Sequence, residues 1–162
     1  MSCKIFETVT NGEDDTLALG EVVRILPGQN NTVGRSFAGS LAGVQGTIGV
    51  TLAAIAAGGQ GPVLTNGKAT VLLEDGLTPA PAAGDTLWVS AVQAGRATNV
   101  KPTVLFCIGT VKDATGVVDP TNNSSVIADV APACDPGASE EGFTLSGGET
   151  DYVGENTAPA VV

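Results

Sequence analysis

Short runs of β-prone residues, each cut off by Gly, Pro or Asn, follow one another along the whole chain and leave little room for helices. Ile5 to Thr10 alternates weakly and is expected to be an N-terminal strand or arm. Glu21 to Leu26 reads as a strand ended by the turn dipeptide Pro27-Gly28. Asn66-Gly67, flanked by Val63 to Thr65 and Lys68 to Leu73, has the two φ-tolerant residues of a tight hairpin, so a type I′ turn is expected there. Further strands are expected over Thr86 to Val92, Val104 to Lys112 and Val126 to Val130. The best helical candidate, Thr51 to Ala57, is Ala-rich but short and is stopped by Gly58-Gly59. The pattern predicts an all-β fold, a small β-sandwich or barrel-like body, with at most one helical turn.

A loose repeat runs through this body. Gly20-Glu21 opens a strand, Gly34-Arg35 follows and Ile48-Gly49-Val50 closes the unit. Gly84-Asp85, Gly95-Arg96 and Ile108-Gly109 then recur in the same order. Each acid after Gly marks a turn into a strand, and each Ile-Gly allows a bend or bulge. The expected organisation is an N-terminal arm over residues 1–19, a body of two similar halves over residues 20–131, and an extended acidic C-terminal arm over residues 132–162. That last stretch carries six acids (Asp135, Glu140, Glu141, Glu149, Asp151 and Glu155), no Lys and no Arg. Its apolar residues Phe143, Leu145, Tyr152 and Val153 are spaced as sparse anchors for a partner surface.

The residue inventory narrows the function. Apolar residues make up 43 % of the chain but aromatic ones only 4 %, so any core is built from small side chains and gains from burial against partners. With 17 acids against 7 bases and a net charge of −10, the chain is repelled by phosphate backbones, and nucleic acid is not an expected partner. The longest apolar stretch, Val50 to Ala57, is too short to cross a bilayer, and no basic segment leads into a signal-peptide core; synthesis and use in a cytoplasm are expected, with no membrane partner. Three widely spaced cysteines, Cys3, Cys107 and Cys134, argue against a disulfide framework, and Cys107 in an apolar run is expected to be a buried free thiol.

Catalytic patterns are missing. There is no His, which removes His-based triads, His metal sites and the commonest general base. Gly58-Gly59-Gln60-Gly61-Pro62 lacks phosphate-loop spacing, and Ser40 is outside a nucleophile elbow. Glu13-Asp14-Asp15 could hold a hard cation, but it lacks calcium-loop spacing and reads better as an acidic solvated loop. Asn30-Asn31-Thr32 and Asn122-Asn123-Ser124 read as polar turns. Trp88, the sole Trp, lies on one face of a strand, either in the core or at an interface. Neither enzymatic activity nor a cofactor or metal is expected.

The phrases GDTLWVSAVQAGRATN (Gly84 to Asn99), CIGTVKDATG (Cys107 to Gly116) and VIADV (Val126 to Val130) resemble the capsid decoration, or cement, proteins of tailed bacteriophages. Gly49 to Leu73 looks like the matching preceding segment, so the resemblance covers residues 20–130. It implies a β-rich structural protein on the outer capsid surface that bridges major capsid proteins and stabilises the shell, often as a homotrimer. Ile5, Phe6, Trp88, Phe143, Leu145 and Tyr152 are the candidate interface residues. Another phage structural part (a head fibre base, tail tube or baseplate component) and a carbohydrate-binding module or hydrolase with an unrecognised carboxylate site are the competing readings. Glycan binding through Trp88 would favour the last.

Overall fold

The structure, a computed structural model, describes residues 5–114 and 125–134. It is nearly all β. The first five strands are β1 (Ile5–Asn11), β2 (Val22–Ile25), β3 (Thr32–Arg35), β4 (Thr47–Thr51) and β5 (Gln60–Leu72), with a single helical turn α1 (Leu41–Val44) before β4. Antiparallel pairings join β3 to β2, β2 to β4, β4 to β5 and β5 to β1. A parallel pairing of β1 with β3, at Thr10↔Thr32 and Asn11↔Val33, closes the ring into a barrel. Val9, Val23, Val33 and Val63 fill it, and Leu17 and Ile55 pack with them. A five-stranded barrel is narrow, so valines fill its interior where larger rings would not fit. The scarcity of aromatics thus follows from the barrel as well as from any need for partners.

Asn66-Gly67 does not turn the chain back. Both residues lie inside β5, which runs straight on. Ile5↔Asn66 is the last rung of β5 with β1, and Gly67↔Val130 is the first with another strand, β9 (Ser125–Val130). Each side of the dipeptide thus finds a ladder elsewhere, which pairs more backbone than a local hairpin would. Gly67, at φ +127°, marks the crossing between the two ladders. The helix expected over Thr51 to Ala57 is also absent. Ile55 instead forms an antiparallel bridge with Leu17, with both N–H groups donating at 2.9 Å, and is buried. The one helical turn falls at Leu41–Val44, where Ser40 caps it by accepting from Gly43 N.

The remaining strands are β6 (Thr86–Val89), β7 (Ala97–Thr98), β8 (Cys107–Asp113) and β9, and they repeat the pairing order of the first half. Val23 pairs with Gly49 and, past a bulge, Arg24 pairs with Thr47; Leu87 pairs with Gly109 and, past a bulge, Trp88 pairs with Cys107. Ile48 and Ile108 are the extra residues of these bulges. Gly20 N donates to Thr51 O at 3.0 Å and Gly84 N to Val111 O at 2.8 Å. Glu21 Oε2 accepts from Ala18 N at 2.6 Å, and Asp85 Oδ2 from Ala82 N at 2.9 Å. A Cβ on Gly49 would strike Leu64 O, and one on Gly109 would strike Asp129 O, the matching atom of the second half. The Gly34-Arg35 and Gly95-Arg96 pairs, alike in sequence, do not hold equivalent places. Gly95 at φ +78° stands where the first half has Asn31 at φ +54°. The bonds that close these two turns, Leu26 N to Thr32 O and Ser90 N to Arg96 O, are both 2.9 Å.

The two halves share β5, whose second part opens the second ring as β1 opens the first. That ring is filled by Val71, Leu87, Val89, Ala97 and Ala128. Among the described residues, its seam has one parallel bridge, Leu73↔Ala97, beside which Arg96 Nη1 donates to Leu73 O at 3.0 Å. The physical cause is a wedge. Leu72 N donates to Gly20 O at 2.9 Å and Val22 N to Gly95 O at 2.8 Å, so residues 20–22 of the first half sit between the strand edges. In the first barrel Thr10 N reaches Asn31 O directly, at 2.9 Å. Val22, Val50 and Leu64, on the outside of the first barrel, are buried in the same cluster as the interior of the second.

Candidate interaction surfaces

The residues singled out from sequence are not gathered at one place. Ile5 and Phe6 open β1 on the first barrel and are 53 % and 60 % exposed. They pair with Asn66 and Leu64 of β5 on one side. Among the described residues, β3 pairs with the other edge of β1 only at Thr10 and Asn11, with Asn31 Nδ2 on Thr8 O at 2.8 Å beside them. Among the described residues, that edge of β1 is therefore unpaired beside the exposed Ile5 and Phe6, a form suited to strand addition. Trp88 lies on the second barrel, in the outward position that Arg24 holds on the first. It is 9 % exposed, so its ring is not an open platform of the kind that sugars stack on. Phe143, Leu145 and Tyr152 lie outside the described residues.

Around Trp88 the chain forms a groove of about 460 Å³ whose lining includes Leu105, Phe106, Lys101, Cys107 and Cys134. Cys107 is not a free thiol: it is bonded to Cys134, 27 residues further on. Sequence spacing did not suggest this pair, because it is the turn after β9 that brings Cys134 beside the start of β8. Ala131 N donates to Ile108 O and Ala133 N to Cys107 O, both at 2.8 Å. The strand expected from Val104 begins only at Cys107, and Leu105, at 47 % exposure, forms part of the groove wall instead. Nothing in the local pattern of Val104 to Phe106 separates a groove wall from a strand.

The acidic loop Glu13-Asp14-Asp15 serves an internal cation. Arg35 Nη1 lies 2.8 Å from Asp15 and 3.5 Å from Glu13, and Arg35 Nε lies 2.6 Å from the buried Glu21. Arg35 Nη2 also donates to Thr16 O at 3.0 Å. The side-chain hydrogen bond to Glu21 raises the Arg35 pKa further above its ordinary value, and that from Arg35 lowers the Asp15 carboxyl. This cluster lies at the junction of the two barrels, where a Cβ on Gly95 would lie 2.5 Å from Glu21 Oε1 and where Val22 N donates to Gly95 O and Gly95 N to Ser36 O, both at 2.8 Å. Among the described residues, no group of three or more His, Cys, Asp or Glu could hold a metal ion, and no helix is long and apolar enough to cross a membrane.

No protein-family model matches the chain, and no curated protein matches it. A solved structure does: the N base of head fibre gp8.5 in bacteriophage phi29, which aligns over 80 % of this chain and 95 % of that one, with a TM-score of 0.53 and 10 % identity. The fold resembles that of a phage head fibre base. At such low identity the likeness is one of chain path. Almost the whole of the head fibre base has its counterpart here.

Proposed function

We propose that this chain is a structural virion protein that binds the outer surface of a tailed-phage capsid, bridges major capsid proteins and stabilises the shell, with no catalysis of its own. The observation that carries the reading is the fold likeness to a head fibre base across 95 % of that chain. The phrases in Gly84 to Asn99 and Cys107 to Gly116 add the resemblance to decoration proteins, and the exposed Ile5 and Phe6 on β1 offer an edge to the shell or to a neighbouring copy. Self-association as a homotrimer would multiply weak contacts into firm attachment. A second reading, that the chain is itself the base of a head fibre, is favoured by the same structural likeness.

The test is to assemble capsids of the encoding phage without this protein, add it back purified, and follow co-sedimentation and heat resistance. Binding that saturates at a fixed multiple of the three-fold positions, with greater heat resistance, is expected. Saturation at a small number of sites with unchanged heat resistance would favour the fibre base. No binding would overturn both readings.

A further inference from the structure

Among the described residues, the Trp88 groove has a mostly apolar lining with one basic residue, and its wall includes the last of them. Leu105 and Phe106 supply much of that lining, Lys101 the charge, and Cys134, the last described residue, part of the wall. The bond from Cys134 to Cys107 holds the departure point at the groove. The sequence beyond it is acidic, and its first large apolar residue, Phe143, directly follows Glu140-Glu141-Gly142. We propose that the groove is the seat of this chain's own C-terminal segment, with Phe143 entering it and Glu140 and Glu141 facing Lys101.

Length and charge both support an occupant from the same chain. Phe143 lies nine positions beyond Cys134, a reach of up to about 30 Å when extended, which is ample for a return to a groove that the segment already borders. So short a tether gives an effective concentration of about a millimolar, so one aromatic anchor suffices where a free partner would need more contacts. The carboxylates complement the Lys101 ammonium, and that part of the attraction weakens as salt is added. The inference does not depend on the capsid reading, since the seat would form in the isolated protein.

The experiment uses the full-length chain in solution. Trp88 is the only Trp, so its indole N–H gives one NMR resonance, which reports on the groove. Nuclear Overhauser contacts between the Trp88 and Phe143 rings are expected. In the Phe143→Ser variant, the indole resonance should shift while the methyl signals of Val9 and Val33, in the first barrel, stay in place. A synthetic peptide of residues 139–147 added to that variant should return the resonance saturably towards its original position. Absence of the ring contacts, or an indole signal unmoved by Phe143→Ser, would overturn the proposal. Ring contacts that cross between differently labelled copies would assign the groove to a second copy and overturn it as stated.

Discussion

Gly95 holds φ +78° where a Cβ would meet both Glu21 and Arg35, whereas Gly84 holds φ +95° with open space around its missing Cβ. The two therefore separate backbone strain from steric conflict. Gly84→Ala should cost about 1 kcal/mol, from the left-handed conformation alone. Gly95→Ala adds a conflict with Glu21 Oε1 and should cost about 3 kcal/mol, read as a lower denaturant midpoint at unchanged slope. Arg35→Met would leave Glu21, 5 % exposed, without its counter-ion, at a cost of about 3 kcal/mol. Pairing it with Glu21→Gln should recover part of the loss. The cluster also sets a pH dependence. Arg35 holds the exposed Asp15 carboxyl below its ordinary value of 3.8, first through a hydrogen bond and then through charge. The folded pKa is lowered, so the contribution is complete above 3.8 and is lost as pH falls through the folded value. The stability gap between the chain and its Asp15→Asn variant should therefore be present at neutral pH and vanish in acid, as a urea titration at each pH would show.

At the scale of elements, β5 is where local and global signals part. Asn-Gly is a strong hairpin signal by local chemistry, and in isolation the segment around it would turn. Here β1 and β4 pair with one part of β5 and β9 with the other, and no reversal is needed. Only Gly67 has a positive φ, while Asn66 is exposed and does not. Asn66→Thr should accordingly change stability by less than about 0.5 kcal/mol, whereas Gly67→Val should cost about 2 kcal/mol. An Asn66 effect as large as that of Gly67 in thermal unfolding would contradict the continuous strand. The short strands β3 and β7, of four and two residues, gave no readable sequence signal. They are strands because a neighbouring edge is available to them, which no local window contains.

For the whole molecule, the near-repetition of one unit raises the question of why the array stops at two. The outer face of β2, β4 and β5 presents Val22, Val50 and Leu64, all buried against the second unit. The equivalent positions on β6, β8 and β9 are Thr86, Thr110 and Asp129, none of them fully buried. At the other end, the seam of the first barrel is closed at Thr10↔Thr32 and Asn11↔Val33, which leaves no slot for a wedge from another copy among the described residues. Both ends are thus capped against head-to-tail growth. Converting the polar face with Thr86→Val, Thr110→Val and Asp129→Leu should produce concentration-dependent association beyond that of the unaltered chain in sedimentation velocity. A variant that associates no further than the unaltered chain at any concentration would show that the closed seam alone is a sufficient cap. The exposed start of β1, with Ile5 and Phe6, lies outside this inter-unit mode.

Local chemistry in the sequence determined the all-β class, the places of β1, β2, β6, β8 and β9, and the matched acid-after-glycine turns at Gly20 and Gly84. These depend on residues adjacent in the chain, on β-branched runs and on the freedom of Gly at positive φ. Tertiary structure alone decided that β5 runs through Asn66-Gly67, that Cys107 meets Cys134, that Trp88 faces a groove rather than a barrel interior, and that Asn31 rather than Gly34 matches Gly95. Each of these turns on a partner distant in sequence. Pairing and burial are set by which edges and faces meet, and that is a property of the closed barrels and their packing rather than of any short stretch of residues.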